Sequence, residues 1–140
     1  MHPELEKAMT AVKNEGCTCA LTLGNVIFKS KDKSVRSLLD WMNSGNNYMG
    51  YMLADKIVGK AAAFIMIAMG IREIYAQVIS EPAKALLEKE HVVVNADLVV
   101  PEILDKDKAE KDPLERAVES YENAAEALMP IELALIRLNL

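Results

Sequence analysis

The sequence predicts an α/β domain of three layers, α-β-α, built around a mixed sheet. Three observations carry that expectation. Short β-prone runs alternate with helical stretches after an opening hairpin, the pattern of a partly parallel sheet with helices on both faces. One helical stretch, Ala61-Ala62-Ala63-Phe64-Ile65-Met66-Ile67-Ala68-Met69, has no polar side chain, so it must be buried all round. The 140 residues are 51% apolar but only 5% aromatic, enough for one core of aliphatic side chains and eight Met.

Along the chain, Leu5, Ala8, Met9 and Val12 recur at helical spacing over residues 3–15, and Gly16 ends the run. Residues 17–23 alternate, Gly24-Asn25 turns the chain, and Val26-Ile27-Phe28 returns as the second strand of a hairpin. Ser34 is placed to cap a helix over 35–43 with Leu38, Leu39 and Met42 inward, and Ser44-Gly45-Asn46-Asn47 breaks it. Residues 48–54 read equally as a short strand or a loop. Asp55 then reads as the N-cap of a helix over 57–69, stopped by Gly70. Arg72 to Ile79 is a strand, and Ser80-Glu81-Pro82 opens a helix to about Glu90. Val92-Val93-Val94 and Leu98-Val99-Val100 are two β-prone pieces, split by Asn95-Ala96-Asp97. After a charged linker, Asp105 to Lys111, comes a strong helix start: Asp112 as cap, Pro113 at the first position and Glu115 three residues after the cap. Two helical pieces separated or kinked at Pro130 complete one domain, 1–140, with a C-terminal helical extension over about 122–140.

Composition excludes several classes of function. The net charge is −5, with the charges interspersed and no basic stripe, which argues against nucleic acid as a partner. The longest apolar run, Ala61 to Met69, is about half of a membrane span, so no membrane association is expected. Met1-His2-Pro3-Glu4 carries neither a basic nor an apolar leader region, and a cytoplasmic location follows as the expectation. Cys17 and Cys19, two apart on one strand, are expected on the same face as reduced, packed thiols. His2 and His91 with these cysteines form no ligand cluster, so neither zinc nor another metal or cofactor is expected. Ala54 and Ala61 stand where a P-loop needs Gly and Ser/Thr, which excludes a Walker-type NTPase. Ser80 lacks the Gly-x-Ser-x-Gly elbow and reads as a cap or a ligand contact.

One feature points to a ligand. Lys56 and Lys60 fall in the opening turns of the expected helix, where the helix dipole disfavours cations by about 0.3–1 kcal/mol each. Lysines there make sense beside an anion held by free backbone N–H groups. In the plainer alternative, Lys56 pairs with a nearby acid and Lys60 extends to solvent. Gly59 costs the helix about 1 kcal/mol against Ala, which implies a close packing or ligand contact.

Asp55-Lys56-Ile57-Val58-Gly59-Lys60-Ala61-Ala62-Ala63, with Val78-Ile79-Ser80, Leu98-Val99-x-Pro101 and Pro113-Leu114-Glu115, resembles an uncharacterised prokaryotic domain-of-unknown-function family. The resemblance spans about residues 5–120, and the Asp55–Ala63 block is its specific part. It implies a cytidine-deaminase-like fold without the deaminase zinc motif. The family pattern carries Cys-Pro-x-Glu at the last block; here Asp112 replaces that Cys and still caps the helix. In zinc deaminases two helix starts supply the metal ligands. The resemblance implies that the starts at 56–60 and 112–115 face one pocket, with Lys60 and Asp112 where ligands would stand.

The expected function is therefore a metal-free domain that binds a small anionic or nucleotide-related ligand. The ligand contacts would come from Asp55, Lys56, Gly59, Lys60, Ser80, Asp112 and Glu115. Two alternatives stay open. One is an enzyme using Lys60 as nucleophile or general acid with Asp55 as partner. The other is a non-catalytic module that forms a homo-oligomer, expected to be a dimer, through the buried helix and the Pro130 region.

Overall fold

In a computed structural model of the chain, which describes residues 1–105, 107 and 110–139, the opening helix α1 (Leu5–Asn14) turns Leu5, Ala8, Ala11 and Val12 inward. Lys106, Lys108 and Ala109 of the expected charged linker, and Leu140 of the expected extension, lie outside the described residues. Strands β1 (Cys19–Leu23) and β2 (Val26–Ser30) form the expected hairpin, with Gly24 at φ +58°, a turn conformation that glycine adopts without strain. Helix α2 (Ser34–Met42), strand β3 (Met52–Val58), helix α3 (Lys60–Met69) and strand β4 (Glu73–Ser80) follow. Helix α4 (Glu81–Lys89), strand β5 (Val93–Val100) and helices α5 (Pro113–Val118) and α6 (Ala124–Arg137) complete the order.

The five strands make one sheet in the order β2-β1-β3-β4-β5. β1 runs antiparallel to β2 and β3, whereas β3, β4 and β5 are parallel, so the sheet is mixed as expected. Its two faces carry separate cores. Cys17, Ala20, Met52, Ala54 and Tyr75 pack against α1. Leu21, Leu53, Ile74 and Ala76 pack with α2, α3 and α4, and Leu114, Val118, Ile131 and Leu135 bring α5 and α6 onto the same core. No helix among the described residues is long and apolar enough to cross a membrane.

The structure corrects the sequence reading at five places. The chain stays extended through Val58, so Asp55 and Lys56 belong to β3 and the helix starts only at Lys60, behind Gly59. Asp55 has the residue type of a cap, but segment 52–58 is paired on both edges (Cys19 with Asp55, Asp55 with Ala76), and that ladder outweighs capping preference. The two β-prone pieces around Asn95-Ala96-Asp97 form one strand. Asn95 donates to the Glu73 carboxylate and the Ile74 carbonyl, and the Tyr75 hydroxyl donates to Asp97, so β4 anchors the polar middle of β5. Cys17 and Cys19 do not share a face: Cys17 precedes the strand and packs under α1, whereas Cys19 abuts Asp55 and Ser37 on the α2 side. Helix α6 runs unbroken through Pro130, held down by Ala127, Ile131, Ala134 and Leu135. Helix α3 is buried from Ala61 to Met66 and at Met69, but Ala68 is exposed, at little cost for a single methyl group.

Candidate functional site

A cleft opens beyond the C-terminal ends of β3 and β4, where open parallel sheets commonly bind ligands. Lys60, Ser80, Pro82, Glu102, Ile103, Lys111, Glu115 and Glu119 line it. Three of the expected ligand residues, Lys60, Ser80 and Glu115, thus come together although they lie on three different helix starts.

The cleft is organised by Glu115. Asp112 caps α5, accepting from the N–H groups of Leu114 (2.9 Å) and Glu115 (3.4 Å). That cap aims the Glu115 side chain at the start of α3. There its carboxylate accepts from the N–H of Lys60 (2.5 Å) and of Ala61 (3.0 Å). A carboxylate therefore sits where an anion was expected, and it comes from the chain itself. Burial pushes the Glu115 pKa up, the two N–H donors pull it down, and the nearby Asp112 charge adds to the rise. The net shift is upward, so this carboxylate is less well solvated here than in water.

Gly59 is explained by the same contact. Its backbone is extended, at φ −99° and ψ −177°, and it stands before the helix, so it carries no helix-propensity cost. A Cβ at this position would overlap the Glu115 carboxyl group. Glycine is needed here because the carboxylate occupies the space of a side chain.

Among the described residues Lys60 neither pairs with an acid nor runs free into solvent. Its ammonium donates to the Glu119 carbonyl at the end of α5 (2.9 Å) and lies 5.5 Å from the centre of the Phe64 ring. A cation at the carbonyl end of a helix is favourable, which offsets its poor position at the start of α3. The two helices are thus tied twice: α5 supplies the anion for α3, and α3 supplies the cation for α5. Lys111 pairs with Glu119 (3.0 Å) at the rim. Ser80 caps α4, its hydroxyl oxygen accepting from the Ala83 N–H (3.3 Å).

Asp55 and Lys56 lie outside this lining. Asp55 is fully buried, and neither of its carboxyl oxygens has a hydrogen-bond partner, so nothing links it to Lys60. Burial pushes its pKa up to about 8, against a weaker downward pull from the Ser34 hydroxyl and the backbone N–H groups of Lys56 and Ile57, which lie near it without reaching hydrogen-bond geometry. The pairing of Lys60 and Asp55 required by the enzyme alternative is absent from this geometry. Burial and the adjacent Asp55 also push the Cys19 thiol up to about 12. Among the described residues no three His, Cys, Asp or Glu side chains converge as metal ligands.

Sequence reasoning missed Glu102, Lys111 and Glu119. Glu119 follows Glu115 by one helical turn, a spacing that puts both on one face of α5, but only the packing of α5 against α3 shows which way that face points.

A family model described as TM1506, domain of unknown function (DUF1893), matches residues 7–134. The crystal structure of a DUF1893 family protein (TM1506) from Thermotoga maritima is similar, at 26% identity and a TM-score of 0.83, over 98% of this chain and 92% of that one. No curated protein matches the chain.

Proposed function

The chain belongs to the DUF1893 family, and from that premise we propose that it is a metal-independent, deaminase-like domain that binds a small anionic or nucleotide-related ligand in the cleft between the starts of α3, α4 and α5. One observation carries the reading. The start of α3 already holds a carboxylate on two backbone N–H groups, the geometry that also suits a phosphate or a substrate carboxylate. In this reading Glu115 is an internal stand-in that the ligand displaces. Its raised pKa supports displacement, because a carboxylate poorly solvated by its site loses less on swinging into water. Lys60, Ser80 and Lys111 line the same cleft and supply further donors. The deaminase-like assignment is supported by the Asp55–Ala63 block and by a hairpin leading into parallel strands in the order β2-β1-β3-β4-β5.

Thermal shift tests the proposal, with inorganic phosphate, nucleoside monophosphates and small phosphorylated metabolites on the wild type, Glu115→Gln and Glu115→Ala. Removing the internal competitor should tighten binding of at least one anion by an order of magnitude or more. A folded Glu115→Ala protein that no member of the panel stabilises ends the ligand reading.

A further inference from the structure

Helix α6 has two apolar sides. Its inner side, Ala127, Ile131, Ala134 and Leu135, is buried on the core. Its outer side repeats Met129, Leu133 and Ile136 at intervals of four and three, one stripe along the helix, and these are 62%, 55% and 73% exposed. Isolated exposed apolar residues are ordinary, but three large ones aligned on one helix form a patch that marks a contact surface.

The charges on α6 indicate what covers it. The helix carries exposed Glu126 in its first turn and exposed Arg137 in its last. A second α6 laid antiparallel across the stripe, on a two-fold axis passing near Leu133, sets Met129 against Ile136 of the other copy. The same rotation brings Glu126 to within a turn of the other copy's Arg137, twice over by symmetry, and opposes the two helix dipoles. A parallel arrangement would align the two helix dipoles and leave Glu126 and Arg137 at opposite ends of the pair, with no pairing between them. The geometry points to a homodimer in which the outer stripes of two α6 helices pack antiparallel, with reciprocal Glu126–Arg137 pairs at the rim.

Sedimentation equilibrium on the full chain tests it. At about 50 μM the wild type should be a dimer, a size that needs only low-micromolar affinity. Leu133→Glu should raise the dissociation constant at least a hundredfold while keeping the wild-type circular dichroism, because residue 133 lies outside the core. Glu126→Arg and Arg137→Glu should each weaken the dimer roughly three- to tenfold, and the double charge swap should recover most of the loss. A wild type that stays monomeric at that concentration overturns the inference. So does a dimer unaffected by Leu133→Glu, or a double swap no tighter than the single ones.

Discussion

The carboxylate of Glu115 fills the space that a side chain on residue 59 would need, and it is held there by the backbone N–H groups of Lys60 and Ala61. Glycine at 59 and glutamate at 115 are thus two halves of one helix cap, 56 residues apart in sequence.

That relationship predicts a coupling. In Gly59→Ala the carboxylate can escape the new methyl group only by giving up its two N–H bonds, so the variant should lose about 1–2 kcal/mol, close to the loss in Glu115→Ala. The double variant should be no less stable than the worse single one. Urea denaturation of all four proteins measures this, and additive losses would show that the two residues act independently.

Lys60→Met should lower stability, by about 0.5–1.5 kcal/mol, because it removes the donor to the Glu119 carbonyl at the end of α5. A lysine merely tolerated at the start of α3 would give the opposite sign, since its removal would relieve the dipole repulsion. The shift in urea midpoint at neutral pH decides between them.

Asp55 should make stability fall as pH rises. Its folded pKa of about 8 lies far above the 3.8 of an ordinary aspartate, so between those values the native state holds a proton that the unfolded chain has lost. The slope of stability with pH is then negative: the contribution is complete below about pH 4, and it is lost as pH approaches 8. Glu115, also shifted upward, adds a drop of the same sign. Asp55→Asn resembles the neutral acid and removes the larger effect. Its urea midpoint should change less than that of the wild type between pH 5.5 and 8.5. Parallel profiles for the two proteins would contradict the assignment.

Neither cysteine should react in the native state. Both are buried, they pack on opposite faces of the sheet, and the Cys19 thiol is pushed up to about 12. A chromogenic disulfide reagent at pH 8 should find no fast thiol in folded protein and two thiols in denaturant. Rapid native labelling of either one, or a Cys17–Cys19 disulfide in air, would contradict this packing.

Most of the fold was legible because local chemistry and tertiary packing agreed. The hairpin at Gly24-Asn25, the Gly70 stop, the Ser80 and Asp112 caps and the wholly apolar run of α3 each depend on residues close in sequence. The reading failed where a distant partner decided the outcome. Asp55 is a capping residue by type, yet β1 and β4 draw it into the sheet and seal it from water. Asn95-Ala96-Asp97 looks like a turn, but Glu73 and Tyr75 satisfy its side chains within a strand.

The candidate site divides the same way. Sequence alone marked Gly59, Lys60, Ser80 and Glu115, because a glycine set within an expected apolar helix, a lysine against the dipole and capped helix starts are local signals. It also set the chain in an α/β class, through apolar periodicity that changes from two to three or four residues along the chain. Only the tertiary structure decided that the anion at the start of α3 is Glu115 and that Lys60 answers the end of α5. Those contacts join segments more than 50 residues apart. A carboxylate or an ammonium announces its charge in the sequence, but the group that balances it is chosen by how the helices pack.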